Sequence, residues 1–384
     1  LHDALPIFET DNPFPLTGYH GAEHFCDRIE ETDALIRNAM NGVNTTLLSL
    51  RRMGKTGLLF HFMETITRRR KAHCIYVDAL SMQDLRAFTN TLAGAALKAF
   101  PEKKHFGKLL LEWVKSMRPV ISFDPLTGSP EVQLDFRQPE QYEHTLAGLF
   151  AMLESQEKRI VVIIDEFQQT GSFPEPNIAA MLRTLIQPLK KTRFIFCGSD
   201  QHLMSEIFNN TKRPFFASTQ LMHLTPIPDM VYGDFITQKF QKGKRKVSQD
   251  AVKEILRFTR THTFYTQSLC NRLYSDGHKN IQLPLVQSTA HRMLAEQEPV
   301  YYQYRSLLTT VQWNLLRAIA IEDTVLKPLS KHFIMAHRLE SASNVQRSLE
   351  ALLTKEMVYK EQGEEGTRYR VYDCFLSRWL ALKG

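Results

Sequence analysis

No unbroken apolar run in this sequence of 384 residues is longer than segments such as Ile160–Ile164, which has five. A helix that crosses a membrane needs about 18, so a helical membrane protein is excluded and no membrane partner is expected. Cysteine is scarce: Cys26, Cys74, Cys197, Cys270 and Cys374 are far apart, odd in number and never in a Cys-x-x-Cys pair. That disfavours a disulfide framework and a zinc site, and fits a reducing compartment, read here as the cytoplasm. Neither sign of charge dominates, with 48 Lys and Arg against 41 Asp and Glu, a formal +7. Such an excess permits contact with phosphates without marking a nucleic-acid binder. Internal repeats, low-complexity tracts and a Gly-x-Ser-x-Gly nucleophile elbow are all missing. His20 and His24 have helical metal spacing but only Glu23 between them, which makes no metal site. Leu1–Phe8 has no initiator Met and neither the basic nor the apolar part of a signal peptide. Residues 1–20 are therefore read as a leader, its first eight residues as a non-native addition to a truncated start.

What is present is an ordinary globular composition, 43% hydrophobic and 23% charged, long enough for two or three domains. Between Gly21 and Leu224, short apolar runs alternate with helix-period segments. The candidate strands are Thr45–Leu48, Cys74–Val77, Ile160–Ile164, Phe194–Cys197 and Gln220–Leu224. Strands separated by helices imply crossover units, so the fold class is α/β: a parallel sheet with helices on both faces. Arg118–Phe136, with Pro119, Pro125, Gly128 and Pro130, reads as a hairpin grafted between two helices. From Pro228 to Val300 the pattern is mostly helical, broken by the polar loop Gln241–Asp250. Three helical segments follow, Leu307–Ala320, Lys331–Arg338 and Ser341–Leu353. A hairpin comes next, with strands Met357–Glu361 and Arg368–Tyr372 joined through Gly363-Glu364-Glu365-Gly366. Three helices and a hairpin make a winged-helix pattern. The expected division is a core over 21–227, a helical domain over 228–300 and a winged-helix domain over 301–384.

The sharpest chemical signal is Ser49-Leu50-Arg51-Arg52-Met53-Gly54-Lys55-Thr56, directly after the first strand. A helix follows it with Leu58, Leu59, Phe62, Met63 and Ile66 on one face. This is a Gly-x-x-x-x-Gly-Lys-Thr phosphate loop with Ser in place of the first Gly. Loop and helix-end N–H groups converge on phosphates there. Gly54 lets the backbone approach closely, Lys55 reaches the β- and γ-phosphates, and Thr56 places a hydroxyl on Mg2+. Ser49 restricts φ where Gly would not. The run Ile160–Ile164 ends in Asp165-Glu166. Asp165 is read as the Mg2+ residue, directly or through water, and Glu166 as the general base for the attacking water.

Other residues admit two readings each. Phe194–Cys197 runs into Gly198-Ser199-Asp200, where Ser199 either senses the γ-phosphate or sits in an ordinary helix cap. Arg213 is either a charge stabiliser for the transferred phosphoryl group or a solvated surface cation. Asp27 with Glu30 forms a capping-box-like helix start, with Ile29, Ile36 and Met40 on one face. Phe25 either packs near an adenine or makes a core contact.

Together these residues resemble the archaeal-type ATPases of the STAND class, P-loop ATPases related to AAA+ proteins. The resemblance is carried by Phe25–Glu31, Leu50–Thr56, Ile163-Ile164-Asp165-Glu166-Phe167, Gly198-Ser199, Arg213-Pro214-Phe215-Phe216, His262–Gln267 and Tyr372–Leu380, and it spans the chain from about Asn12 to the C-terminus. It implies a P-loop NTPase core, a helical lid domain over 228–300 and a C-terminal winged helix, in an ATP-binding and hydrolysing switch with ATP and Mg2+ as cofactors. Its nucleotide residues would be Phe25, Arg28, Ser49, Arg52, Met53, Gly54, Lys55, Thr56 and Gly57. Thr56 and Asp165 would hold the metal, and Glu166, Lys55, Ser199 and Arg213 would act in catalysis. Adenine over guanine rests on this resemblance; no Asn-Lys-x-Asp motif occurs. Where many relatives have Gly-x-Pro, this chain has His262–Phe264.

In the winged helix, the candidate recognition segment Ser341–Leu353 has Arg347 as its one cation, balanced by Glu350. Asn344 and Gln346 are its other base-reading side chains. Glu361, Glu364 and Glu365 give the wing the wrong sign for phosphates. A protein partner docked through the C-terminal domain is favoured over DNA, and assembly into an oligomer on activation is left open. Two alternatives to a hydrolysing switch stand beside it: a nucleotide-binding module with negligible turnover, and a DNA-directed ATPase.

Overall fold

The computed structural model of the chain describes residues 12–100, 105–117, 119–124, 128, 130–136, 138–363 and 365–383. The leader residues 1–11 and Arg118, Pro125 and Glu364, all used in the sequence reading, lie outside them. Two compact units divide the chain, residues 17–226 and residues 227–383 together with 12–16.

In chain order the first unit contains α1 (Ile29–Met40), β1 (Thr45–Leu48), α2 (Lys55–Arg68), β2 (Ala72–Asp78), α3 (Leu85–Ala99) and α4 (His105–Ser116). The hairpin β3 (Val120–Phe123) and β4 (Pro130–Gln133) leads to α5 (Pro139–Glu154) and β5 (Arg159–Asp165). Next come α6 (Ile178–Ile186), β6 (Thr192–Gly198), α7 (Gln201–Asn209) and β7 (Gln220–His223). One sheet runs β2-β5-β6-β1-β7 with every pairing parallel. Its five strands are the five expected from the sequence, and the grafted hairpin stands where the Pro- and Gly-rich insert placed it.

β5 shows why this sheet is covered on both faces. Ile160 through Ile164 are all fully buried, and successive strand side chains point to opposite faces. Ile160, Val162 and Ile164 join a core with Phe88, Leu92, Leu146 and Leu182 of α3, α5 and α6. Val161 and Ile163 join a second core with Leu35, Leu58, Leu59 and Phe62 of α1 and α2. A run that is apolar at every position needs helices on both sides, and each buried Val or Ile contributes about 2 kcal/mol.

The entry to α1 departs from the expected capping box. Asp27 and Arg28 both have positive φ, 58° and 64°, and the helix opens at Ile29 with no side-chain cap. A capping side chain reaches the first-turn N–H groups from extended backbone, which Asp27 does not have. Of the expected face, Ile36 is buried and Met40 packs against the same core, while Ile29 is 68% exposed; Leu35 and Ala39 complete the buried face.

The second unit contains α8 (Asp229–Lys242), β8 (Lys246–Val247), α9 (Gln249–Thr259), α10 (Thr263–Ser275), β9 (Asn280–Ile281) and α11 (Leu283–Ser306). The winged helix follows as α12 (Thr310–Glu322), α13 (Lys331–Ala336), α14 (Ala342–Thr354), β10 (Val358–Gly363), β11 (Gly366–Val371) and α15 (Cys374–Leu382). α12 starts in a full capping box made by Thr309 and Gln312. Phe14 is fully buried in this unit against Phe240, with ring centroids 4.9 Å apart. α11 continues through residues 300 and 301 with Pro299 inside it. Asp323 Oδ1 accepts from Arg260 Nη2 at 2.7 Å and from Arg378 Nη1 at 2.8 Å. That ion cluster ties the turn between α9 and α10 to the end of α12 and to α15. Among the described residues no helix is long and apolar enough to cross a membrane.

Candidate active site

Parallel pairing brings the carboxyl ends of the strands to one level: Leu48 is opposite Gly198, and Asp78 opposite Asp165. β1 passes there into the loop 49–54 and then α2. The loop takes positive φ at Arg52 (62°) and Gly54 (90°) and not at Ser49. Glycine is therefore needed at 54, where the left-handed backbone favours it, and Ser49 is accommodated at the entry. The Ser49 hydroxyl is buried without a hydrogen-bond partner. Met53 anchors the loop in the core beside Leu47 and Leu58, and Arg52 is exposed. Gly54 caps α2, so the first N–H groups of that helix are presented at the loop, where an anion is favoured.

Lys55 and Asp165 are almost wholly buried, 7% and 3% exposed. Lys55 Nζ lies 3.0 Å from Asp165 Oδ1 and 2.8 Å from Glu166 Oε1. Thr56 Oγ1 donates to Asp165 Oδ2 at 3.2 Å. The loop and the acidic strand end, 109 residues apart in sequence, thus meet in one hydrogen-bonded cluster.

Glu166 adopts a left-handed backbone, φ 51°. Behind it Phe167 is fully buried against Phe196, Phe208 and Phe215, which holds the turn in place. Glu166 Oε2 accepts from Gln168 Nε2 at 2.5 Å, Ser199 Oγ at 2.9 Å and Ser199 N at 3.3 Å. Capping of α7 falls to Asp200, which accepts from Leu203 N at 2.9 Å, and Ser199 is left to bond Glu166.

Burial alone would raise the Glu166 carboxyl, but the charge of Lys55 and hydrogen bonds from Lys55, Gln168 and Ser199 outweigh it and hold the group below its usual range. Lys55 is the mirror case. Burial opposes its charge, the Asp165 and Glu166 carboxylates outweigh burial, and its pKa is raised.

Two members of the site carry no signal in the sequence. Tyr76 on β2 donates its hydroxyl to Asp165 Oδ2 at 3.2 Å. Gln168 is visible only as a polar residue two places beyond Glu166. Burial and the neighbouring Asp165 charge push the Tyr76 hydroxyl up, so it stays a donor.

Three expected residues belong neither to residues 49–57 nor to this hydrogen-bonded cluster. Phe25 stacks on His61 of α2, centroids 4.5 Å apart, and its ring lies 3.5 Å from where a Cβ on Gly57 would stand. Arg28 is buried, with Nη1 donating to Glu31 at 2.7 Å and Nη2 without a partner. Arg213 is exposed and pairs with Glu206 of α7.

The Thr56 hydroxyl and the Asp165 carboxylate converge as hard oxygen donors of the kind Mg2+ takes, and a few such protein oxygens suffice when phosphates complete the shell. The donor set fits the ion.

A parallel sheet whose first strand runs through a Gly-Lys-Thr loop into a helix, beside a strand ending in paired acids, defines a P-loop ATPase. The chain belongs to the family described as an ATPase domain predominantly from Archaea, which matches residues 25–262, and residues 299–382 match a probable winged helix domain. It is similar in fold to a Walker-type ATPase of Pyrococcus abyssi, with TM-score 0.66 and 15% identity over 96% of this chain and 99% of that one. The ORC2 protein of Aeropyrum pernix, in ADPNP and ADP complexes, aligns with TM-score 0.59 and 14% identity over 97% and 98% of the two chains. The ORC1 protein of Aeropyrum pernix, in complex with DNA, aligns with TM-score 0.51 and 14% identity over the same shares, 97% and 98%. At these identities the likeness is one of fold. No curated protein matches the sequence.

Proposed function

We propose that this ATPase is a Mg2+-dependent molecular switch of the STAND type, which binds and hydrolyses ATP at residues 49–57 and acts on a protein partner through its winged helix. The convergence of Lys55 and Thr56 on Asp165 and Glu166 carries this reading. Lys55, already charged and facing two carboxylates, would turn to the β- and γ-phosphates, which offer the same sign of charge. Thr56 and Asp165 would hold Mg2+, which when bound neutralises charge on the phosphates. Departure of Lys55 frees Glu166 Oε1 to accept a proton from the attacking water, while Ser199 and Gln168 keep Oε2 in place. Base and phosphate site are thus coupled through one lysine. Phe25 and Arg28 would serve the adenine end, and Ser49, Arg52, Met53, Gly54 and Gly57 the loop itself. The division into core (21–227), lid (228–300) and winged helix (301–384) belongs to the same proposal.

A protein partner is favoured over DNA by the surface of the winged helix. On α14 the outward polar groups are occupied by neighbours: Asn344 bonds Glu340 and Arg347, and Gln346 bonds Glu350 at 3.2 Å. The wing exposes Glu361 and Glu365, which repel phosphates. Leu326, Leu329 and Met335 are exposed apolar side chains around α13.

The test is nucleotide binding and phosphate release by the purified chain. Lys55→Ala should abolish binding. Glu166→Gln should bind ATP as the wild type does and lose about a hundredfold or more in turnover, the scale of a general base. Wild-type chain that binds ATP and releases no phosphate would reduce the protein to a binding module.

A further inference from the structure

We propose that Tyr76 is a positioning residue for the cation: its hydroxyl holds Asp165 Oδ2 in the orientation that receives Mg2+. The inference rests on the ATP and Mg2+ reading above and names a residue that neither the loop nor the acidic strand end contains.

Asp165 has four hydrogen-bonding neighbours, two on each oxygen. Oδ1 meets Lys55 Nζ at 3.0 Å and the N–H of Glu166 at 3.0 Å. Oδ2 accepts from Thr56 Oγ1 and from the Tyr76 hydroxyl, each at 3.2 Å. Nucleotide and cation would re-aim two of these neighbours, drawing Lys55 to phosphate and the Thr56 oxygen to the metal. The other two have no such duty. One is backbone and restrains Oδ1, so Tyr76 is the side chain that steadies Oδ2 throughout.

The fold gives Tyr76 this reach. In the β2–β5 register it lies opposite Ile163, two places before the Asp78–Asp165 pair, and a long aromatic side chain spans such a diagonal. Its ring packs on Phe60 of α2 at 5.0 Å, one helical turn beyond Thr56. Tyr76 therefore touches the phosphate-loop helix with its ring and the acidic strand end with its hydroxyl. Phenylalanine would keep the first contact and lose the second.

Groups that orient a metal ligand change metal affinity or activity by about 10- to 100-fold. The Glu166 N–H still restrains Asp165 in the variant, so the lower figure is expected. A fluorescent N-methylanthraniloyl-ATP is titrated over a series of Mg2+ concentrations and in EDTA, using wild type, Tyr76→Phe, Asp165→Asn and the double variant. Mn2+ binding to the ATP complex is followed by electron paramagnetic resonance. Tyr76→Phe should raise the Mg2+ concentration for half-maximal effect about tenfold and weaken Mn2+ equally, with affinity in EDTA unchanged. In the Asp165→Asn background it should add nothing. The same Mg2+ midpoint in Tyr76→Phe and wild type, or an equal loss with and without the cation, overturns the assignment. If wild type binds no nucleotide, or binds it without regard to Mg2+, the functional reading itself fails and takes Tyr76 with it.

Discussion

Lys55 and Glu166 depend on each other before any nucleotide arrives. Two carboxylates face one ammonium, all three groups largely buried, and a buried ion pair that loses one partner leaves the other uncompensated. Lys55→Ala should therefore destabilise the nucleotide-free first unit by about 3 kcal/mol, seen as faster amide exchange in β1 and β5. Unchanged exchange would mean that water screens the acids. Gly198 is the second tight point. A Cβ there would stand 2.3 Å from Gln168 Oε1 and 2.5 Å from Met204 Cγ, so Gly198→Ala must push the Gln168 amide off Glu166. Turnover should fall about tenfold to a hundredfold, as a displaced catalytic group implies, while ATP affinity stays the same. Equal loss of both would show that Gln168 shapes the pocket rather than the base.

Among the elements, those with a strong pattern were the legible ones. β5 has an unbroken apolar run, and the wing has Gly363 and Gly366 facing each other across its turn. The start of α1 is not legible, because Asp27 and Glu30 have the spacing of a cap and spacing does not report φ. β8 and β9, two residues each, are too short to leave a period. Packing of α4 on α5 is equally hidden. It depends on Gly148, where a Cβ would come within 2.7 Å of Trp113 Cζ2. Gly148→Ala gains up to about 1 kcal/mol of helix propensity and loses about 1–3 kcal/mol to overpacking. A net loss of stability with a shifted Trp113 emission is expected; a stabilised protein would show that the ring moves aside freely.

Across the whole molecule, the titrations set a pH window. Glu166 and Asp323 both lie below their ordinary values: burial would raise each, and Lys55 for the first, Arg260 and Arg378 for the second, outweigh it. A depressed carboxyl contributes stability that is complete above its ordinary value and disappears as pH falls through the depressed one. Lys55 is raised, so its share is complete below the ordinary lysine value and disappears as pH climbs through the raised one. The contribution of these three groups should be constant between the ordinary Glu and Lys values, 4.5 and 10.5, with losses on either side. Melting temperatures across pH check this. Glu166→Gln should shrink the acid-side loss in the first unit and Asp323→Asn in the second; acid limbs that neither variant changes would assign the effect to other carboxyls.

The sequence by itself determined the sheet, the loop that enters α2, the acid pair and the winged helix, because each is written in neighbouring residues as a period or a fixed spacing. Tertiary structure alone decided which side chains complete the site. Tyr76 reaches Asp165 across 89 positions and Ser199 reaches Glu166 across 33, while Arg213 turns to Glu206. Such choices follow from strand register and from where a buried charge finds its nearest counterpart, and neither quantity exists until the chain has folded.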